Sequence, residues 1–210
     1  MKSKFIVVEG LDGSGKTTLV KFIYKVLKNK YKIEKLIKVC DPGGTPLSRI
    51  LGKIIKKSNK LEKINYYTEL LIFYAARSQL VSNIIKPYLN NNYWVISDRY
   101  KFSSEAYQGS YNKNINILIK NLNKIIVKNV EPDLIFYLDI NPKIGFERIK
   151  KNRKLDIIEK KRINFFYKVR RRYKKIMKKN KNVIILNSNK PTKLIFKNVK
   201  NYLKSWIKKI

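Results

Sequence analysis

The segment GLDGSGKTT, residues 10–18, sets Gly10, Gly15, Lys16 and Thr17 at the spacing G-x-x-x-x-G-K-[ST]. Glycines at that spacing let backbone N–H groups curl around an anion, and a helix starting behind them adds a favourable dipole. Lys16 is then placed to reach the outer phosphates of a nucleotide, and the Thr17 hydroxyl to ligate magnesium. The flanks agree with this reading. FIVVE (5–9) is a short apolar run that reads as a strand, and Thr18 to Leu27 has helical spacing. A plain Gly/Ser turn requires none of these coincidences. Gly10, Leu11, Asp12, Gly13, Ser14, Gly15, Lys16 and Thr17 are therefore read as a nucleotide-binding loop.

Two further stretches carry groups suited to a phosphorylated partner. In YTELLIFYAARSQL (67–80), Phe73 and Arg77 lie one helical turn apart and share a face. An aromatic plane beside a guanidinium suits a nucleobase, by stacking and by hydrogen bonds to its carbonyls. In DRYKFSSEAYQG (98–109), Asp98 and Arg99 at a strand end can organise magnesium and clamp phosphates, with Tyr107 and Gln108 facing the same pocket. Taken singly, Phe73 also fits a core, Arg77 a surface, and Asp98 with Arg99 a buried ion pair. The chain has no histidine, which excludes Ser-His-Asp triads, Cys-His pairs and most zinc sites.

Such residues must be held by regular elements. Apolar runs that read as strands occur at 4–9, 35–39, 93–97, 134–140 and 182–186. Segments of helical spacing lie at about 16–29, 47–57, 66–90, 114–129, 143–151, 157–179 and 192–208. Alternating strands and helices predict a three-layer α/β fold, with a central parallel sheet of about five strands and helices on both faces. In such a sheet ligands gather at the carboxyl ends of the strands. Those ends carry Glu9 to Thr17, CDPGGT (40–45), DRY (98–100) and NPK (141–143). No internal repeat and no Pro/Gly/Ser linker interrupts the 210 residues, so a single domain over 1–210 is expected.

One cysteine, Cys40, leaves no disulfide framework and suggests a reducing compartment. No run is long enough for a membrane span, and the first apolar stretch is too short for a signal peptide, so a cytoplasmic protein is expected. The net charge of +35 invites a nucleic-acid reading. Lys, Asn, Ile and Tyr are, however, abundant throughout, and these residues share A/T-rich codons. Lysine spread over helix surfaces reads as a solvated coat rather than one binding stripe. YKVRRRYKKIMKK (167–179) comes nearest to a basic stretch interleaved with aromatics. Its Phe166, Val169, Tyr173 and Ile176 spacing also reads as the apolar face of a basic helix.

DPGG (41–44) satisfies the D-x-x-G pattern of GTPases, but NKPT (189–192) puts Thr192 where guanine recognition needs a carboxylate acceptor. Taken together, EGLDGSGKT, DPGGT, FYAARSQL with IKP (85–87), DRYKFSSEAYQG, PDLIFYLD (132–139) and LDIIE (155–159) resemble the thymidylate kinases, which transfer phosphate from ATP to dTMP. The resemblance spans nearly the whole chain and is to the bacterial branch, whose phosphate loop lacks an arginine between its glycines. It implies a P-loop kinase fold, Mg-ATP as donor, dTMP as acceptor and a homodimer; the apolar faces of helices 66–90 and 114–129 could carry that dimer or belong to the core. It also implies roles for single residues. Lys16 would act on the phosphates, Thr17 and Asp98 would hold Mg2+, and Asp12 would contact the sugar 3′-hydroxyl. Phe73 would stack on thymine, Arg77 bind the base and Arg99 the acceptor phosphate. Tyr107 would lie under the deoxyribose, with Ser104 and Gln108 near the base. A basic lid, ERIKKNRKLDIIE (147–159), would supply transition-state cations from among Arg148, Lys150, Lys151, Arg153 and Lys154, with Arg153 the preferred residue. Family members often carry arginine where this chain has Cys40 and Ile157. Two other readings remain: a related P-loop kinase with a different acceptor, and a nucleic-acid-dependent ATPase favoured by the charge.

Overall fold

A computed structural model of the chain describes residues 2–57, 62, 64–152, 158–159 and 161–210. Five strands form its sheet: β1 (Phe5–Gly10), β2 (Leu36–Cys40), β3 (Trp94–Asp98), β4 (Leu134–Asp139) and β5 (Val183–Asn187). They pair in parallel in the order β2-β3-β1-β4-β5. β1 is thus central, and its register sets Val8 beside Asp98 of β3 and Phe136 of β4. The end of β1 therefore opens between the ends of its two neighbours, where the phosphate loop begins.

Alternation along β1 builds both cores, because successive side chains point to opposite faces. Ile6 and Val8 face α1 (Lys16–Lys25) and α9 (Thr192–Ile207), packing with Leu19, Ile23, Val199 and Leu203. Phe5 and Val7 face the other side, under α3 (Tyr66–Leu80), the helical turn Val81–Ile85 that extends it, and α4 (Lys86–Asn90). That side also carries α5 (Lys101–Tyr107) and α8 (Ile163–Lys178), whose Phe102, Ala106, Val169 and Tyr173 pack on Ile135 and Tyr137 of β4. Fully burying each large apolar side chain contributes about 1.5–3 kcal/mol, so the two cores fix the sheet between its helices. α2 (Pro46–Lys57) packs on α3, while α6 (Lys113–Leu122) and α7 (Pro142–Asn152) complete the set of longer helices. Among the described residues, no helix is long and apolar enough to cross a membrane.

The expected strands are all present, four of them starting one residue later than their apolar runs. α5 is an addition, since residues 101–107 carry no clear helical period. The helix expected over 157–179 is shorter. Ile158 and Glu159 form a turn and α8 starts at Ile163, while 157 and 160 lie outside the described residues. The expected apolar face of this helix holds, with Phe166, Val169 and Tyr173 buried and Ile176 partly so.

Candidate active site

The phosphate loop folds as its glycines require. Gly13 and Gly15 adopt φ of 76° and 90°, a left-handed conformation that side chains other than glycine rarely tolerate. A Cβ at Gly13 would also collide with the Gly145 carbonyl at the start of α7. Behind the loop, α1 begins at Lys16 with no side-chain cap and no acidic residue in its first turn. Its leading N–H groups are left for an anion. Lys16 is buried and donates to the Leu11 carbonyl at 2.8 Å, and its Nζ lies 3.6 Å from Asp12. Burial and then Arg99 lower its pKa, opposed by the carboxylates of Asp12, Asp98 and Glu9. Ser14 braces the loop: its N–H donates to the Leu11 carbonyl, and its own carbonyl accepts from the Ser188 hydroxyl at 2.6 Å. Thr17 Oγ1 donates to Asp98 Oδ2 at 2.6 Å. One hydroxyl and one carboxylate fit magnesium, which takes the rest of its six ligands from phosphates and water. Among the described residues no cluster of three or more Asp, Glu, His or Cys competes as a metal site.

A cavity of about 890 Å3 runs from this loop across the carboxyl ends of β1, β2 and β3. Asp12, Gly13, Gly15, Lys16, Thr17 and Asp98 line one end. Phe73, Arg77, Ser104, Tyr107 and Gln108 line the other, with Arg99 between the two. Of the loop residues, Gly10, Leu11 and Ser14 do not reach it. Leu11 belongs to the core, and the Gly10 carbonyl accepts from Arg99.

Arg99 sits at the centre, with φ 74° in the left-handed region and its backbone N–H bonded to Val8 O at 3.0 Å. Its guanidinium donates to the Asp12 carboxylate, to Ser103 Oγ at 2.9 Å and to Gly10 O at 3.2 Å. The ion pair of Arg99 is thus with Asp12, while its chain neighbour Asp98 turns to Thr17. Tyr107 donates to the second Asp12 oxygen at 3.1 Å. Burial pushes the Asp12 carboxyl up, but Arg99 and then Lys16 outweigh it and hold it well below the usual carboxylate range. The Tyr107 hydroxyl goes the other way, raised by burial and by Asp12.

Arg77 is buried, not a surface residue. Its Nε donates to Asp41 Oδ2 at 2.5 Å, one terminal nitrogen to Ser104 Oγ at 3.0 Å and the other to Tyr100 O at 3.3 Å. Burial opposes its charge, yet Asp41 beside it raises its pKa further. Two of its five N–H groups remain for a base.

Several supporting residues carry no short-range signal in the sequence. Asp41 is one. Glu9 is another: wholly buried, it accepts from the N–H groups of Tyr100 and Ser103 at 2.8 and 3.2 Å, and from the hydroxyls of Ser103 and Tyr173. α5, which lacks a side-chain cap of its own at Tyr100, is capped from β1 by this carboxylate. Asn189 to Thr192, the NKPT stretch that fails a guanine code, lines the phosphate-loop end of the cavity. In the segment 147–159, Arg148 lines the cavity, Lys150 and Lys151 are exposed, and Arg153, Lys154 and Ile157 lie outside the described residues. Cys40 is exposed and lines the cavity beside Asp41, its thiol pKa raised by burial and by Asp98.

Comparison with known proteins shows the family. The thymidylate kinase family model matches residues 8–199. Over 207 residues the chain is 43% identical to the thymidylate kinase of Blochmanniella floridana, covering 99% of this chain and 98% of that protein. It is 39% identical to that of Vibrio parahaemolyticus, again over 207 residues, with 99% and 98% covered. The crystal structure of thymidylate kinase from Ehrlichia chaffeensis superposes with a TM-score of 0.77 at 28% identity, covering 97% of this chain and 100% of that one.

Proposed function

This chain belongs to the thymidylate kinase family and phosphorylates dTMP to dTDP in dTTP synthesis, and from that premise we propose how its cavity divides the work. Mg-ATP is the donor. Its phosphates lie on the N–H groups of Gly13 and of Gly15 to Thr17 with the Lys16 ammonium beside them, and the nucleoside end runs toward Asn189–Thr192. Thr17 and Asp98 hold magnesium, which supplies neutralisation of the donor phosphate oxygens. The dTMP base stacks on Phe73 and meets Arg77, Ser104 and Gln108, the deoxyribose rests on Tyr107, with Asp12 toward its 3′-hydroxyl, and Arg99 holds the acceptor phosphate.

The single observation that carries this division is the pair of cations that meet at Asp12, where the two ends of the cavity join: Lys16 on the phosphate loop and Arg99 at the end of β3. Two anionic phosphates must be brought together, and cations fixed in advance offset their repulsion without reorganising at the moment of transfer. No imidazole is needed. A phosphate monoester has its second pKa near ~6, so the acceptor is already largely a dianion at neutral pH and needs no general base. The protein positions it in line with the donor and neutralises charge. Arg148 and Arg153 of the lid, about 147–159, add cations to the transferring group.

The whole of 1–210 acts as one kinase domain in the cytoplasm. Exposed Leu71, Ile117 and Ile125, on helices 66–90 and 114–129, support a homodimer in which a second copy covers them. The charge of +35 is a solvated coat and not a nucleic-acid site. The test is ADP release from Mg-ATP with dTMP, dUMP, dCMP, dGMP and UMP offered singly. Strong preference for dTMP supports the assignment, and equal turnover of all five removes the base pocket from it.

A further inference from the structure

On α3, Glu69 precedes Phe73 and Arg77 by one and two helical turns, so the three share a face. Its Oε1 accepts from Gln108 Nε2 at 2.7 Å and from the Tyr111 hydroxyl at 2.8 Å, and its Oε2 from Lys161 Nζ at 3.4 Å. Lys161 in turn lies over the rings of Tyr111 and Phe165, 4.6 and 4.8 Å from their centroids. With three donors arranged around it, the carboxylate has no freedom to turn away. A carboxylate only accepts hydrogen bonds, so the Gln108 group facing it is the NH2 and its carbonyl points elsewhere. Gln108 is buried and lines the cavity, and no described residue donates to that carbonyl.

We propose that Glu69 is a specificity-determining residue: by holding the Gln108 amide in one orientation, it presents the Gln108 carbonyl to the acceptor base and selects a pyrimidine whose N3 carries a hydrogen. The inference rests on the reading of this end of the cavity as the dTMP site. Thymine N3–H donates to the carbonyl. Cytosine N3 is an acceptor, so dCMP would set two acceptors face to face in a buried site and leave both unpaired. A site built to hydrogen-bond one partner rejects the analogue that cannot complete the bond far more strongly than a shape mismatch would. Glu69 does not line the cavity, and its effect passes through Gln108.

The experiment compares kcat/KM for dTMP and dCMP with Mg-ATP in the unaltered protein and in Glu69→Gln. An amide at 69 can donate as well as accept, which frees Gln108 to turn its NH2 inward. The dTMP:dCMP ratio then narrows by about tenfold, chiefly through KM, because one oriented hydrogen bond is lost for dTMP and gained for dCMP. Tyr111→Phe and Lys161→Met leave the Glu69–Gln108 bond in place and keep the ratio within about threefold of the unaltered protein. Gln108→Met narrows the ratio as Glu69→Gln does, and combining the two adds nothing further. Equal loss for both acceptors in Glu69→Gln overturns the proposal, as does additive narrowing in the double variant. Failure of the unaltered protein to prefer dTMP would instead overturn the site reading, before any variant is made.

Discussion

At the proposed acceptor end of the cavity, side chains hold one another: Arg77 by Asp41, Ser104 and a carbonyl, Arg99 by Asp12 and Ser103, and Gln108 by Glu69. At the phosphate loop the ligand groups are mostly backbone N–H, and Lys16 rests on a carbonyl of its own loop. The difference follows from what each end must recognise. A triphosphate carries much charge and little shape, so oriented N–H groups and a point charge suffice. Telling one base from another needs donors and acceptors fixed in advance, because a buried group that can reorient discriminates nothing.

The largest effect expected from breaking this contrast is at Lys16. In the division proposed, Lys16→Met removes the cation assigned to the donor phosphates, and kcat should fall by about 10²–10³, as for other preorganised charges. Affinity for dTMP should change little, and a matching loss of dTMP binding would show that the two ends are not separable.

Next in size is Asp41→Ala, which strips the partner from a buried guanidinium. Removing one member of a buried pair costs about 3–5 kcal/mol, readable as a lower urea midpoint with an unchanged slope. An unchanged midpoint would mean that water reaches Arg77 and that the acceptor end is less fixed than its contacts indicate.

The smallest effect is in pH dependence. Asp12 has a folded pKa held below its unfolded value by Arg99 and Lys16, against burial. Its contribution to stability is therefore full above about 3.9, the ordinary aspartate value, and is lost as the pH falls through the lower folded value. Asp12→Asn should lose stability at neutral pH and show a shallower decline below pH ~4 in urea titrations. An acid limb identical to that of the unaltered protein would remove the Arg99–Asp12 pair from the account.

Much of this arrangement is legible in the sequence, and the part that is not has a common cause. The phosphate loop, the ends of β1, β2 and β3 and the Phe73/Arg77 face are short-range patterns that contribute to the cavity, whereas NPK (141–143) after β4 does not line it. The pairings that fix the acceptor end are long-range: Asp41 with Arg77 across 36 positions, Gln108 with Glu69 across 39, Glu9 with Tyr173 across 164. No local period encodes them. α5 was invisible for the same reason. Seven residues with a Ser-Ser pair form a marginal helix alone, and this one starts on Glu9, a carboxylate 91 positions away from the Tyr100 N–H that it accepts. The early start expected for α8 has a converse cause. Arg162 provides no side-chain cap to mark the true beginning, and the basic residues before it are good helix formers.

The contrast between the two ends is tested most directly by calorimetric titration of dTMP into the protein with no donor nucleotide present. An acceptor end already locked by its own side chains binds dTMP alone, with an affinity that Mg-bound, non-hydrolysable ATP analogue changes by less than about tenfold. Absence of dTMP binding until the analogue is added would contradict the account, since the acceptor site would then be assembled by the donor and not by Asp41, Asp12 and Glu69.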